Sequence, residues 1–262
     1  MSADEVKFVL NGYGYAPSET DVKHIASQKF ADELLKFIGS TNLEFLDFSD
    51  FEGANIIHDL NYPIDPQHYG KYSAVIDGGT VEHVFNFPNV MDNCMKLCAV
   101  GGHFLSMTAA NNYLGHGFYQ FSPELFFNLF CEKNGFKTIK VFLAERFGRE
   151  WYDIPDPAVL KKRVQLINGE RTFILTLAQR LSEQAGVLVT PQQGHYELNW
   201  EARDNLDFGK GGKLSKYKDQ ITEGLGSVLG VDALHMAQRL YAHRTFRRIF
   251  NRNCPKINPM QS

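Results

Sequence analysis

Three short apolar runs in the first third of the chain each end in an aspartate. The runs end at Asp47, Asp59 and Asp77, and the last is followed by Gly78 and Gly79. In an open α/β sheet, ligands bind at the carboxyl ends of the strands, and a carboxylate after the second strand accepts hydrogen bonds from ribose hydroxyls. Strand-end aspartates also serve as turn and cap residues. Their recurrence nevertheless favours a nucleotide-type ligand, with Asp47 at the ribose.

Two glycines near the start of the chain are candidates for the first turn of such a site. The run Val6–Leu10 predicts a first strand, and Gly12 and Gly14 predict a turn after it, because glycine allows positive φ. A dinucleotide fingerprint needs a third glycine and an acidic residue about 20 residues further on. The third glycine is missing and Asp47 lies much farther along, so a plain NAD site is disfavoured.

Strands and helices alternate along the chain, and this alternation would bring those residues to one edge of a sheet. The patterns predict strands at 6–10, 43–47, 55–59, 72–77, 103–108, 136–143 and 171–177, and helices at 27–38, 87–100 and 122–135. They also predict a loop at 15–21, a turn at 101–102 and an irregular insertion at about 146–168. We therefore expect an α/β domain over 1–181 with a doubly wound, mostly parallel, Rossmann-like sheet. Residues 182–262 are expected to form a partly helical, basic C-terminal extension.

The composition is that of a chain that forms a hydrophobic core. Hydrophobic residues make up 44% of the 262 residues, and 27 Lys and Arg face 30 Asp and Glu, for a net charge of -3. These values exclude disorder as the main state. No apolar run approaches the roughly 20 residues of a membrane span, and the N-terminus lacks a signal-peptide pattern. We therefore expect a cytoplasmic protein.

Five stretches in roughly the first 180 residues stand out as motifs. They read DFSDFEGA from Asp47, HDLN from His58, DGGTVEHVFN from Asp77, GG at 101–102 and GHGFYQFSPE from Gly115. Together they resemble the class I S-adenosylmethionine-dependent methyltransferases. The most telling pieces are the Glu-His pair in the third stretch and the long run from Gly115. The turn at 11–14 departs from the acidic residue and three-glycine loop of that family.

The resemblance implies a cofactor, S-adenosyl-L-methionine, and a set of residues around it. It places Asp47 at the ribose, Asp59 and Leu60 at the adenine, and the backbone of 77–79 at the methionine part, while Glu82 is either structural or a partner of the cofactor amino group. The implied cofactor residues are Gly12, Gly14, Asp47, Phe48, Ser49, Asp59, Leu60, Asp77, Gly78, Gly79 and Glu82.

The reaction that the resemblance implies is methyl transfer to an oxygen or nitrogen of a small molecule or a sugar or glycan precursor. Such a transfer needs alignment of the two partners and, for a hydroxyl acceptor, removal of a proton. His83 and His116 are the candidate catalytic bases, because histidine titrates near working pH. A histidine at the position of His83 also commonly bonds to backbone at the start of a helix.

Four side chains are candidates for the acceptor site. Tyr113, Tyr119 and Gln120 flank the Gly-His-Gly turn, and Trp151 belongs to the irregular insertion, which could form a lid. Aromatic residues at these positions could equally serve packing alone. No metal is implied, because no cluster of carboxylates and histidines with ligand spacing occurs along the sequence.

The C-terminal extension differs in charge from the rest of the chain. Residues 1–200 hold 16 basic and 24 acidic side chains, whereas 201–262 hold 11 and 6. We expect no nucleic-acid partner for the acidic bulk. Basic residues between 239 and 256 alternate with apolar ones, which fits either a solvated helix face or weak contact with an anionic membrane surface. The sequence contains no indication of oligomeric state.

Two other functions remain open at this point. The chain could be a catalytically inactive binding or regulatory protein with a methyltransferase fold, because its first turn is poor in glycine. It could also be an oxidoreductase for a dinucleotide or nucleotide sugar, against which the missing third glycine argues. Binding of S-adenosylhomocysteine separates the first alternative from an active enzyme, and nicotinamide absorbance identifies the second.

Overall fold

The computed structural model describes residues 2–146, 151–160, 164, 166, 168–183, 188–192 and 256–257. Within this part of the chain the helices are α1 Ala3–Gly12, α2 Glu19–Ser27, α3 Asp32–Phe37, α4 Phe87–Leu97, α5 Pro123–Leu129 and α6 Pro157–Leu160. The strands are β1 Leu46–Asp47, β2 Ile56–Ile57, β3 Tyr72–Asp77, β4 Cys98–Ala109, β5 Phe136–Glu145, β6 Trp151–Asp153, β7 Thr172–Arg180 and β8 Lys256–Ile257. None of the described helices is long and apolar enough to cross a membrane.

The N-terminal segment is helical, so the predicted strand over Val6–Leu10 is wrong. Ser2 and Glu5 form a capping box that starts α1, with each side chain bonded to the backbone N–H of the other residue. Val6 and Leu10 lie four residues apart on one helix face and pack in a small core with Val22 of α2. The apolar run was compatible with either structure, and the local cap together with this packing selects the helix.

The glycines of the predicted first turn consequently lie at the end of a helix and just after it, rather than after a strand. Gly12 is the last residue of α1, and Gly14 has φ +81° two residues later. The predicted loop at 15–21 is also wrong in its second half, where Ser18 and Asp21 form a second capping box at the start of α2. The predicted helix at 27–38 begins only at Asp32, although it ends just before Gly39 as expected.

The main sheet is mixed rather than mostly parallel. Its strand order is β3-β4-β7-β5-β6-β8, and in this described sheet β3 and β4 form the parallel pair. The strand β7 runs antiparallel between β4 and β5, and β6 and β8 extend the sheet with further antiparallel pairs. The β3-α4-β4 crossover is the parallel unit of a Rossmann-like sheet. The α/β class is therefore confirmed, whereas the predicted predominance of parallel strands is wrong.

The structure differs from the sequence prediction in two segments, because β3 and β4 approach closely in one and β6 pairs with β5 in the other. The predicted turn at 101–102 lies inside β4, at a register shift against β3. A Cβ on Gly102 would lie 2.9 Å from the carbonyl oxygens of Ala99 and Ser73, so a glycine is needed where the two strands approach. The insertion at 146–168 is also less irregular than expected, because Trp151–Asp153 pairs with β5 as β6.

A core of aromatic and aliphatic side chains holds α4 and α5 against the main sheet. Phe104 of β4 stacks on Phe130 with ring centroids 4.8 Å apart, and Phe126 and Phe136 are buried beside them. Ser122 caps α5 and Pro123 occupies its first turn, as predicted. This packing supports the carboxyl ends of β3 and β4. The predicted domain boundary at 181 stays a prediction. The basic helix expected at 239–256 lies outside the described residues except for Lys256, which begins β8.

Candidate functional site

The turn that follows β3 is built by the buried carboxylate of Asp77. One carboxylate oxygen accepts hydrogen bonds from the backbone N–H of Thr80 at 2.8 Å and of Gly79 at 3.3 Å. The other oxygen accepts from the hydroxyl of Ser106 on β4, also at 2.8 Å. Asp77 is 6% exposed, so its side chain organises the turn, while the backbone of Gly78 lies beside open space.

Burial raises the pKa of the Asp77 carboxyl above its usual range, against the lowering effect of its hydrogen bonds. As pH rises above the unfolded value of 3.8, the unfolded chain loses this proton first, so the unfolding free energy falls. Asparagine cannot ionise. We therefore expect the stability of the wild type relative to Asp77→Asn to be higher at about pH 4 than at about pH 7. Urea unfolding at both values measures it, and a relative stability that rises with pH would contradict it.

Glu82 is the buried acid at the centre of the candidate site. It lies in a 3-10 turn, Val81–His83, directly after β3, and it is 1% exposed. Its Oε2 accepts a hydrogen bond from the hydroxyl of Thr108 on β4 at 2.5 Å, and its Oε1 lies 3.6 Å from Nε2 of His116. The hydroxyl therefore fixes the carboxylate in the orientation that points its second oxygen at the imidazole.

The loop that carries His116 is docked on the backbone of Glu82. The carbonyl oxygen of Glu82 accepts hydrogen bonds from the N–H groups of Phe118 at 2.8 Å and Tyr119 at 3.2 Å. A Cβ on Gly117 would lie 2.8 Å from the same carbonyl oxygen, so a side chain there would prevent this docking.

The docked loop brings the two predicted catalytic histidines together. The rings of His83 and His116 meet edge to face with centroids 5.0 Å apart, and both side chains are exposed. One possible ligand atom from each of Glu82, His83 and His116 lies within 4.8 Å of the others. The structure therefore brings these three residues together, although His83 and His116 are 33 positions apart along the chain.

Two of the predicted acceptor residues contact the histidine loop and the segment beside it. Tyr113 is 4% exposed and packs between the rings of His116, 5.1 Å away, and Phe173, 4.9 Å away. The hydroxyl of Tyr119 donates a 2.6 Å hydrogen bond to the carbonyl oxygen of Phe85. The acceptor role expected of both tyrosines stays a prediction.

Trp151 is not part of this cluster. It lies at the start of β6, and β7 and β5 stand between that strand and β4. Its ring packs near Phe142 of the neighbouring strand, with centroids 6.0 Å apart. Pairing with β5 holds Trp151 in the sheet, and the lid and acceptor role expected of this segment stay predictions.

Gln120 lines a cavity of about 720 Å³ at the end of β4 that the sequence alone did not identify. The side-chain oxygen of Gln120 accepts a 2.9 Å hydrogen bond from the N–H of Tyr113, which places the cavity next to the histidine loop. The amide side chains in its wall are Asn111, Asn112, Gln120 and Asn168. The Asn-Asn pair at 111–112, shortly after the predicted strand at 103–108, is the sequence signal for this polar wall.

The predicted ribose and adenine residues lie on the short parallel pair β1 and β2. Asp47 pairs with Ile57 and is exposed at the end of β1, followed by Phe48 and Ser49. Asp59 follows β2, and hydrogen bonds from Asn61 hold its pKa below the usual range. The strand β1 therefore ends at an acidic residue, as the sequence predicted, and β2 ends two residues before one.

Hydrogen bonds connect the loop after β2 to the segment that follows Glu82 and His83. The side chain of Asn61 accepts a 2.9 Å hydrogen bond from the N–H of Asn86, and the carbonyl oxygen of Leu60 accepts one of 2.9 Å from the side chain of Asn89. A cavity of about 150 Å³ lies between this loop and β3, with Leu60 and Thr80 among its lining residues. The loop that carries the predicted adenine residues is thus bonded to the segment that begins three residues after His83.

Comparisons with known proteins assign no family to the chain. No family model and no curated protein matches it. Eleven chains of solved structures match. One is the crystal structure of the PH0226 protein from Pyrococcus horikoshii OT3, which is 11% identical and aligns over 57% of this chain and 76% of that chain with a TM-score of 0.27. At this level of overlap, the function of the site has to be argued from its own residues.

Proposed function

We propose that the chain is an S-adenosylmethionine-dependent methyltransferase that acts on an oxygen or nitrogen of a small molecule or sugar. The observation that carries this proposal is the Glu82, His116 and His83 cluster, which offers candidate bases directly after β3 and its terminal Asp77. The sequence resemblance to class I methyltransferases supports the same reaction.

The residues around β1, β2 and β3 fit an adenosyl ligand chemically. The exposed carboxylate of Asp47 can accept hydrogen bonds from ribose hydroxyls, and the lowered pKa of Asp59 keeps a second carboxylate ionised nearby. The 150 Å³ cavity beside Leu60 offers apolar walls for a flat base. The backbone of Gly78 adjoins open space, so the methionine part of the cofactor could approach it.

The cofactor, when bound, supplies an electrophilic methyl group. The chain then has to hold the acceptor atom in line with that group and receive the acceptor's proton. Glu82 orients the imidazole of His116 through Oε1, and the Thr108 hydroxyl keeps the carboxylate in place. We assign the proton to Nδ1 of His116, the ring nitrogen that does not face Glu82, or to His83 at its edge. Tyr113 packs behind His116 and limits its movement.

The large cavity at the end of β4 is the proposed acceptor site. Its wall contains four amide side chains, and amides can both donate to and accept from hydroxyl groups. Apolar residues such as Phe121 and Leu143 complete the wall, which suits the apolar face of a sugar ring. The mixture of amides and apolar surface favours an uncharged, hydroxyl-bearing acceptor.

Replacing Asp47 with alanine should weaken binding of S-adenosylhomocysteine by about 10-fold to 100-fold, because a hydrogen bond to a charged group contributes about 1.5–3 kcal/mol. Isothermal titration of the full chain measures this, with micromolar binding expected for the wild type. Asp50→Ala is the matched control, since Asp50 is also exposed in the same loop. Equal affinity of Asp47→Ala and wild type would contradict the placement of the ribose.

One observation favours a second candidate, a catalytically inactive binding or regulatory protein with a methyltransferase fold. The segment expected to form the first strand is the helix α1 instead, so the strand that was expected to precede the glycine turn of a cofactor site is replaced by a helix. The same titration separates the two candidates. No binding of S-adenosylhomocysteine by the wild type would reject the methyltransferase and support the regulatory protein.

A further inference from the structure

We propose that Glu82, His83 and His116 form a binding site for a divalent transition-metal cation of the Zn²⁺, Co²⁺ or Mn²⁺ class. The sequence implied no metal, because a Glu-His pair and a single distant histidine do not have ligand spacing along the chain. The fold changes this by docking the loop of His116 on Glu82, which brings one donor atom of each residue within 4.8 Å of the others.

The donor set has the composition that such cations prefer. Two imidazole nitrogens and one carboxylate oxygen bind Zn²⁺ in catalytic sites and other divalent transition metals in open sites. Bonds of about 2.0–2.2 Å to each donor require donor atoms to lie about 3–3.5 Å apart. Oε1 of Glu82 and Nε2 of His116 are already 3.6 Å apart, and both histidines are exposed, so small rotations of their rings would complete the geometry.

The charge of Glu82 supports a cation more strongly than the spacing does. The carboxylate is 1% exposed, and a buried carboxylate needs a compensating positive charge or several hydrogen bonds. In the described part of the chain, its side-chain partners are the Thr108 hydroxyl and the His116 imidazole. Neither carries a fixed positive charge. A divalent cation at Oε1 would supply that charge.

The groups around the three residues would also support a cation site. Thr108 holds Oε2, so Oε1 remains directed at the histidines. The hydrogen bonds from the loop to the carbonyl oxygen of Glu82 fix the position of His116 relative to the acid. Three protein ligands would leave further coordination positions for water or an acceptor oxygen, whose pKa the cation would lower.

This cation site does not depend on the proposed methyl transfer. If the transfer does occur there, the histidines act as ligands while the cation is bound, and activation of the acceptor oxygen passes to the cation. Chelation of the cation would then reduce turnover but leave binding of S-adenosylhomocysteine unchanged. Failure of the cofactor titration would reject the methyltransferase without affecting the metal proposal.

The test is titration of the chelator-treated full chain with CoCl₂ and ZnCl₂. Isothermal titration should give one cation per chain, and the visible absorption of bound Co²⁺ should indicate a site of nitrogen and oxygen ligands with low coordination number. His116→Ala, His83→Ala and Glu82→Gln should each weaken binding by at least about 10-fold. His24→Ala is the matched control, because His24 lies 3.3 Å from the carboxylate of Glu33 in a separate histidine-glutamate pair.

The titration results that support the cation site differ from those that overturn it. A saturable site that is weakened by all three substitutions and retained in the control supports the proposal. Absence of saturable binding in the wild type overturns it, as does binding that His83→Ala and His116→Ala leave unchanged. Should a variant melt at a lower temperature than the wild type, the Co²⁺ spectrum of the wild type still reports the ligand set directly, and a spectrum of fully hydrated Co²⁺ would reject the site.

Discussion

Replacing Arg180 with methionine is expected to lower the unfolding free energy by about 3 kcal/mol, because a hydrogen bond to a charged group contributes about 1.5–3 kcal/mol and several are lost together. Arg180 ends β7 and is 8% exposed. Its Nη1 donates to the carbonyl oxygens of Met95, Lys96 and Cys98, where α4 ends and β4 begins. The last carbonyls of a helix have no partner within the helix. The guanidinium supplies donors there, and the N–H of Gly70 also donates to the carbonyl oxygen of Lys96.

Thermal and urea unfolding measure this loss, and a fall in Tm of roughly 6–12 °C corresponds to it for a domain of this size. Arg180→Lys should fall between wild type and Arg180→Met, because an ammonium group keeps the charge without the fork of donors. Lys137→Met, at an exposed position of β5, is the control and should change stability by less than about 0.5 kcal/mol. If Arg180→Met were as stable as the wild type, the guanidinium would have no role in joining α4 to the sheet.

Replacing Gly117 with alanine is expected to destabilise the chain by about 2 kcal/mol, within the range for inserting a methyl group into a packed site. The added Cβ would lie 2.8 Å from the carbonyl oxygen of Glu82 and 3.1 Å from its Cγ. Much of that contact is with backbone, so relief requires the loop to move away from Glu82. This movement would separate Nε2 of His116 from Oε1 of Glu82, which are now 3.6 Å apart.

The same variant should therefore bind Co²⁺ more weakly, because the displaced loop carries His116. Affinity for Co²⁺ should fall by at least about 10-fold, the loss expected when ligand orientation is disturbed. Gly169→Ala is the control for both measurements, since a Cβ there meets no atom within 4 Å and should leave stability and cation affinity unchanged. Wild-type stability in Gly117→Ala would show that the loop does not dock on Glu82 as described. Unchanged cation affinity despite lower stability would indicate that His116 binds independently of that docking.

Local patterns in the sequence were sufficient for elements whose signals lie within a few residues. The apolar run at 72–77 and its terminal aspartate predicted β3 and its turn, and Ser122 with Pro123 predicted the start of α5. Gly39 correctly marked the end of α3. Caps, turns and strand ends depend on contacts between near neighbours in the chain. These predictions therefore needed no knowledge of the sheet order.

The segment Val6–Leu10 illustrates a local pattern that two structures can satisfy. Five consecutive apolar and basic residues fit a short strand, and two of them also fit one face of a helix. The capping box at Ser2 and the burial of Val6 and Leu10 against α2 select the helix. Gly12 and Gly14 favour a strand followed by a turn, whereas the cap at Ser2 favours a helix.

The α/β class, the acidic strand ends and the Glu-His pair after β3 follow from the sequence. The order of the strands, the burial of Glu82 and the contact between His83 and His116 depend on tertiary packing. The two sets of features differ in the range of the interactions that produce them. Caps and hydrophobic periodicity act over a few residues, whereas docking of the His116 loop requires a glycine at 117 to contact a backbone carbonyl at 82. That contact exists only after β3 and β4 have paired and placed both segments at one edge of the sheet.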